Sequence, residues 1–374
     1  MTTSPSASGI VIIGGGICGI AAAYYLAREG IASTVIERDS LASHASGFAY
    51  GGLSGGIPNG PQTNYPAIAE GMRLHRELAK ELPERSSVDI QFQDRPVLRI
   101  ALSEDEAATG RQHLDWQQAQ PGFTVRWLDG GEARRMEPRL NPATVGALHV
   151  EGSADVEPYR LTLALAEAAE KGGATIRTGR VTGLRKAGDR VQAVMLEDGE
   201  VAAEHVVLAM GPWTAEAAAW VDTPLPIRPL KGQILRLRAQ GEPYAISVGH
   251  GKNYAMTKPA DGLVWTGTTE EEAGFDESKT TDARDRIIDS VLLMLPSLVD
   301  AELALQTACL RPVAPDGALV LGRVPSLDGV YVSSGAGRQG IMMGPAMGRI
   351  TADLIVRGKT DVPIDAYAPA RFAS

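Results

Sequence analysis

The apolar positions change period several times along the chain, and each change marks an element. After Gly9, Ile10-Val-Ile-Ile13 is unbroken and β-branched, the pattern of a short strand buried on both faces. Ile20-Ala-Ala-Ala-Tyr-Tyr-Leu-Ala-Arg28 then reads as a helix stopped by Gly30. Ser33-Thr-Val-Ile-Glu37 is a second strand with a carboxylate at its end. Buried-strand patterns return at His205-Val-Val-Leu-Ala-Met210 and at Gly329-Val-Tyr-Val-Ser-Ser334. The latter leads into a helix over 341–357 with Pro345 near its first turn. Between these ends the pattern predicts strands at 89–93 and 96–101 and an Ala/Leu/Glu-rich helix over 161–171 that stops at Gly172-Gly173. A hairpin joins 177–186 to 190–196 around Ala187-Gly-Asp189, and strands follow at 233–238 and 263–268. An amphipathic helix over 282–295 is stopped by Pro296.

The junction between the first strand and the first helix carries chemistry. Gly14-Gly15-Gly16-Ile17-Cys18-Gly19 fits G-x-G-x-x-G at Gly14, Gly16 and Gly19. Gly14 allows the tight turn, Gly16 lets the backbone approach a pyrophosphate, and Gly19 lets helix pack on strand. The free N–H groups and dipole of the helix start favour phosphate. Glu37 stands where an acid accepts from ribose hydroxyls, which disfavours a 2′-phosphate. A bare glycine pattern is weak, but strand, glycines, helix, strand and acid in register predict a dinucleotide site. This motif alone does not separate NAD from FAD.

Composition narrows the class. The chain has 374 residues, 44% hydrophobic and 22% charged, enough for two domains or one large α/β domain with insertions. A net charge of −9 argues against nucleic acid as a partner. The two cysteines, Cys18 and Cys309, make no disulfide framework, so a reducing cytoplasm is expected. Residues 1–9 lack the basic region of a secretory signal, and the apolar run 10–26 is too short and too broken by glycine to span a bilayer. The six histidines show no metal-binding spacing, so no metal is expected. Glu270-Glu-Glu272 reads as a solvated turn.

Three later features lean to FAD. The loop over 43–56 is built of small residues and can lie against a large planar ligand. The strand ending at Met210 runs into Gly211-Pro-Trp213, a turn at the carboxyl edge of a sheet. Gly335-Ala-Gly-Arg-Gln-Gly340 is a second glycine-rich strand-to-helix junction. Residues 14–37, Ala45-Ser-Gly-Phe-Ala-Tyr-Gly-Gly-Leu53, Val206-Val-Leu-Ala-Met-Gly211 and Cys309-Leu-Arg-Pro-Val-Ala-Pro-Asp-Gly317 through Gly344-Pro345 resemble the FAD-dependent D-amino acid oxidase family. The resemblance is strongest to its glycine oxidase and sarcosine oxidase β-subunit branch. It covers nearly the whole chain, because Asp155-Val-Glu-Pro-Tyr-Arg160 and Pro226-Ile-Arg-Pro-Leu-Lys-Gly-Gln233 also fit.

The resemblance implies an α/β (α+β) fold in which a discontinuous Rossmann-like FAD-binding domain (1–85, 150–215 and 308–374) interleaves with a mixed-sheet substrate domain (86–149 and 216–307). It implies a cofactor site of Gly14, Gly16, Ile17, Cys18, Gly19, Glu37, Arg38, Ser43, Ala45, Ser46, Gly51, Gly52, Leu53, Gly211, Trp213, Cys309, Arg311, Gly337, Arg338, Gln339, Gly340, Ile341 and Met342. Arg311 and Arg338 match the arginines that hold the substrate carboxylate in that branch, and a guanidinium fixes both its charge and its orientation. The implied reaction passes a hydride from the α-carbon of a small amino acid or secondary amine to the flavin, and the resulting imine hydrolyses. Backbone amides over 340–343 are placed to meet charge on reduced flavin.

Tyr254 either closes over the substrate or is a half-buried strand residue. His44 and Tyr50 lie in the loop that approaches the flavin, His44 reading as a solvated turn residue; Met342 and Met343 read as core filling. A covalent flavin link through Cys309 is the alternative that monomeric sarcosine oxidases suggest. The lysine that oxygen-using members place after the strand at 263–268 is missing from 269–274, so O2 and another electron acceptor both stay open. Homo- and hetero-oligomers stay open too. A flavin monooxygenase or NAD(P)H reductase is disfavoured, because no second full glycine motif is present.

Overall fold

The computed structural model describes residues 9–373. The uncharged start of the chain, apart from Gly9, lies outside them. The first strand, Ile10–Ile13, pairs in parallel with His205–Leu208 on one side and Thr34–Glu37 on the other. The sheet extends to six strands with Thr175–Thr178 beyond Thr34–Glu37, and with Val330–Ser334 and antiparallel Val320–Arg323 at the other edge. Both faces are covered, as unbroken apolar strands require. Ile10 and Ile12 face a core shared with helices Ile17–Arg28, Tyr65–Arg85, Pro158–Lys171 and Gly340–Arg357. Val11 and Ile13 point the opposite way, into a second core with Val191, Val194 and Leu196 of a three-stranded antiparallel sheet.

An eight-stranded sheet stands against this unit. Its order is Glu302–Val313, Arg228–Arg238, Val264–Gly267, Asn253–Thr257, Ser247–His250, Val97–Ala101, Gly146–Glu151, Thr124–Asp129. Residues alternate across it with period two. Leu98, Ile100, Leu235, Leu237, Val248 and Ala255 pack with Ile287, Val291 and Met294 of helix Thr281–Met294. Their neighbours Val97, Arg99, Ile234, Ser247, Tyr254 and Met256 face a cavity between the two sheets.

Several expected elements move. The strand expected over 89–93 shrinks to Gln93–Asp94, because Gln91 turns left-handed (φ 52°) while its N–H donates to the Asp89 carboxylate at 2.9 Å. The strand expected over 177–186 splits at Gly179 and Arg180. Thr175–Thr178 joins the six-stranded sheet, and Val181–Ala187 alone forms the hairpin with Arg190–Leu196. The small-residue loop contains one helical turn, Ala45–Phe48, and a two-residue strand, Gly52–Leu53. The expected seams at 150 and 308 fall inside Gly146–Glu151 and Glu302–Val313. Both strands pair to their ends in the eight-stranded sheet, so Cys309 and Arg311 ride on that sheet.

Candidate active site

The cavity between the sheets measures about 830 Å³. Every expected cofactor- and substrate-site residue lines it except Gly19. Gly19 is buried beneath the turn, where a Cβ would overlap the Gly14 carbonyl oxygen. Gly14 itself has φ +113°, and a Cβ there would overlap the Ala209 carbonyl. Only glycine allows that conformation and that approach. Gly16 caps helix Ile17–Arg28, and the Ile17 N–H donates to Ser46 Oγ at 3.0 Å. Glu37 accepts from the Gly15 N–H at 2.6 Å and from the Asp39 N–H at 2.9 Å, so the acid at the strand end also braces the turn.

The rim beside it is aromatic and charged. The Arg38 guanidinium lies 3.9 Å over the Trp213 ring, and His44 packs on that ring at 4.7 Å. His44 is not a solvated turn histidine, since its ring nitrogens meet Asp39 at 3.0 Å and Glu277 at 3.3 Å. Helix Gly340–Arg357 begins at the cavity as well, after the turn Gly337–Gln339, with Gly340, Ile341 and Met342 in its wall. Two helix starts, each with the positive end of its dipole, thus border one cavity. Buried Ser43 Oγ and Ser333 Oγ have no hydrogen-bond partner within the described chain, and both residues line the cavity. A glycine cradle, two helix starts and spare buried polar atoms fit a long phosphate-bearing ligand such as FAD.

The other end is formed by side chains from the eight-stranded sheet and its connections, together with Arg338 of the turn Gly337–Gln339. Arg311 crosses over Gly232, where a Cβ would overlap its guanidinium, and donates to Thr269 O at 3.0 Å and Thr268 Oγ1 at 2.6 Å. Arg338 donates to Lys252 O at 2.7 Å and to Glu270 Oε1 at 3.3 Å. Tyr254 is half-buried on its strand and also lines the cavity, its ring stacked on Tyr50 at 3.7 Å. Tyr50 is held in turn by Ser247 at 2.6 Å. Burial raises the Tyr254 hydroxyl above its ordinary range, against the pull of Arg311 and Arg338, so it stays protonated. Burial, then repulsion from Arg311, lowers the Arg338 guanidinium, which keeps its charge.

The sequence reading missed part of this end. The acidic run is not a solvated turn. Glu270 lines the cavity and pairs with Arg338 and Lys252; Glu271 bridges to Lys231 and accepts from Gln233; Glu272 pairs with Arg228. Burial opposes ionisation of Glu270, but the Lys252 bond and the fields of Arg338 and Arg311 hold its carboxyl below the usual range. A lysine does reach the cavity: Lys252, from the turn before Asn253–Thr257. Cys309 is buried in the wall, and burial pushes its thiol up, so it is neutral and a weak nucleophile. Met342 and Met343 are buried in the main core, and Met342 also touches the cavity. No group of three or more His, Cys, Asp or Glu side chains among the described residues could hold a metal. No helix among them is long and apolar enough to cross a membrane.

The DAO family of FAD dependent oxidoreductases matches residues 9–354. The chain belongs to this family. It is an FAD-dependent oxidoreductase of the amino-acid and amine oxidase type. It is 29% identical to the glycine oxidase of Geobacillus kaustophilus over 367 residues, 97% of this chain and 96% of that one. A crystal structure of glycine oxidase from that organism matches with a TM-score of 0.91, covering 97% and 98%. Hydrogen cyanide synthase subunit HcnC of Pseudomonas aeruginosa is 28% identical, with 97% and 96% covered. The crystal structure of iminodiacetate oxidase from Chelativorans sp. BNC1 matches at 27% identity with a TM-score of 0.87, covering 96% and 98%.

Proposed function

We propose that this DAO-family enzyme oxidises the C–N bond of a small carboxylated amine, with Arg311 and Arg338 holding the carboxylate. The observation that carries this reading is the convergence of both guanidiniums and the Tyr254 ring in one cavity, which the start of helix Gly340–Arg357 also lines. Bound FAD supplies the two-electron acceptor for the substrate's α-hydrogen, transferred as hydride. The chain supplies position. Two arginines fix the carboxylate plane, Tyr254 and Tyr50 wall off water, and the amides of 340–343 meet developing negative charge. The amine reacts in its neutral form, and water hydrolyses the imine to a carbonyl product and an amine or ammonia. No acid–base dyad is required.

We assign the glycine turn, Glu37, Arg38, residues 43–46, Gly211 and Trp213 to the adenine, ribose and pyrophosphate side of the cofactor, and residues 50–53, which carry Tyr50 to Tyr254, to its ring side. The residues from Gly337 to Met342 belong to its ring side. On this reading the six-stranded unit is the FAD-binding domain and the eight-stranded sheet covers the flavin. The neutral Cys309 thiol supports non-covalent FAD. Two cysteines without a disulfide fit a cytoplasmic protein. The likeness to HcnC, a subunit by name, favours one second reading, a partner-dependent dehydrogenase subunit.

Anaerobic mixing of the yellow protein with glycine, N-methylglycine, proline and D- and L-amino acids tests the proposal through flavin bleaching. One or more of these amines should bleach the flavin, and Arg311→Ala or Arg338→Ala should slow bleaching by about a hundredfold at equal flavin content. Normal flavin with no bleaching by any carboxylated amine would reject the oxidase reading. Native mass with O2 and quinone assays separates a lone oxidase from a complexed dehydrogenase.

A further inference from the structure

The substrate end of the cavity carries more positive charge than one carboxylate requires. Arg99, Lys252, Arg311 and Arg338 line it, against the single carboxylate of Glu270. Arg95 also reaches the wall but is paired with Asp155 at 2.9 Å, a carboxylate it shares with Lys258. Glu270 is shared between Lys252 and Arg338. That leaves Arg99 and Arg311 with no carboxylate within ion-pair distance among the described residues. They donate to uncharged oxygens: Arg99 to Gly251 O at 2.6 Å, and Arg311 to Thr269 O and Thr268 Oγ1.

Arg99 is placed by the sheet. It is the charged residue in the otherwise apolar strand Val97–Ala101, on the cavity face. It stands opposite Gly249, which stands opposite Tyr254, so Arg99 and Tyr254 share one face across a residue with no side chain. Its guanidinium and that of Arg338 donate to consecutive carbonyls, Gly251 and Lys252, whose Cα atoms are about 3.8 Å apart. The field of Arg338 reaches Arg99, whereas the Glu270 carboxylate pairs with Arg338 and Lys252 and not with Arg99. Burial, and then repulsion from Arg338, lowers the Arg99 guanidinium, the signature of a cation lacking its counter-ion. A surplus of cations in a cleft, Arg99 and Arg338 among them partly desolvated, is relieved by an anionic ligand.

We propose that Arg99 is a specificity-determining residue for a second carboxylate on the substrate, so that the site takes short dicarboxylic amines or amino acids. This rests on the oxidase reading above, with Arg311 and Arg338 taking the carboxylate beside the reacting carbon. Arg99 takes the distal one across Gly249. The adjacency of Arg99 and Arg338 limits the spacer to a few atoms, as in iminodiacetate or aspartate.

Calorimetry on the FAD-loaded enzyme with diglycolate, a dicarboxylate ether that has no amine to oxidise, tests the charge argument apart from turnover. Methoxyacetate is the matched monocarboxylate. Diglycolate should bind at least tenfold more tightly than methoxyacetate, and Arg99→Gln should erase that advantage while leaving methoxyacetate within about twofold. Arg99→Lys, which keeps the charge and guards against misfolding, should retain part of it. Equal binding of the two acids by the unmodified enzyme, or an equal loss of both in Arg99→Gln, would overturn the proposal.

Parallel anaerobic bleaching by iminodiacetate and N-methylglycine keeps the two readings distinguishable. If neither these two nor any amine of the panel above bleaches the flavin while diglycolate binds through Arg99, the oxidase reading fails and the dicarboxylate site stands. If N-methylglycine bleaches at least as fast as iminodiacetate and Arg99→Gln slows both equally, the oxidase stands and this inference falls.

Discussion

The two ends of the cavity are built on different principles. At the glycine turn the working groups are main-chain ones: N–H groups at the starts of Ile17–Arg28 and Gly340–Arg357, and a Gly14 whose backbone nearly touches Ala209. Their positions follow from dihedral angles and strand order, and side chains such as Glu37 only brace them. At the substrate end the working groups are the tips of long side chains from strands, turns and loops far apart in sequence. They are held by one another through Arg338, Glu270, Lys252, Arg311 and Thr268. The first end is rigid and tolerates almost no substitution; the second is adjustable, so specificity can change there without disturbing cofactor binding.

The sharpest test of that contrast is Gly14→Val. A β-branched residue at φ +113° that also overlaps a carbonyl should cost several kcal/mol at the turn, so the purified protein should retain no flavin absorbance at 450 nm. Retention of stoichiometric FAD would show that the turn does not hold the phosphates. Acid strains the other helix start. His75 is buried, its ring Nε2 is 2.9 Å from the Ile341 carbonyl, and burial pushes its pKa down to about 4. Its ordinary value is about 6.5, so the unfolded chain binds more protons between those values, and stability falls as pH drops through that window. The loss reaches about 3 kcal/mol near pH 4. Thermal melts from pH 7 to pH 4 should show it, and His75→Gln should flatten the slope.

The same contrast explains what the sequence made legible. Ile10–Ile13, Gly14 to Gly19 and Thr34–Glu37 are contiguous, and their chemistry is local, so strand, turn, helix and acid could be read in order. Arg311 and Arg338 were reached only through resemblance. Nothing near Arg311 in the sequence states that Gly232, 79 positions earlier, opens the space its guanidinium crosses. Glu270 read as a solvated turn because an acidic triplet is usually exposed, and its partners Arg338 and Lys252 come from other elements. Arg99 carried a weak signal, a lone charge at a period-two position in an apolar strand, that gained meaning only once strand order set it across from Tyr254. The break at Gln91 escaped notice because left-handed backbone at a non-glycine residue is not visible in apolar periodicity.

Gly232→Ala probes the adjustable end through a residue that touches no ligand. The atoms a Cβ would meet are the far end of the Arg311 side chain, so the guanidinium moves and the strand remains. The expected result is a fall in kcat/KM of about tenfold to a hundredfold at unchanged flavin content and melting temperature. Adding Arg311→Ala should cause little further loss, since both changes remove the same contact. Additive losses in that double variant would mean that Gly232 acts on the strand rather than through Arg311.

The smallest effect should come from Glu270→Gln, and its sign is informative. Glu270 competes with the substrate for Arg338, because a guanidinium that donates to one carboxylate has fewer N–H groups and less field for another. The amide keeps the shape and one acceptor but removes the charge. If Arg338 binds substrate, carboxylate ligands should bind about fivefold more tightly in the variant, a gain of about 1 kcal/mol. Lys252, freed of its partner, adds to the gain. If Glu270 instead serves to aim Arg338, the amide should weaken binding and kcat together. Tighter binding at unchanged kcat would therefore mark this carboxylate as a brake on affinity, set where the cavity's cations would otherwise trap an anionic product.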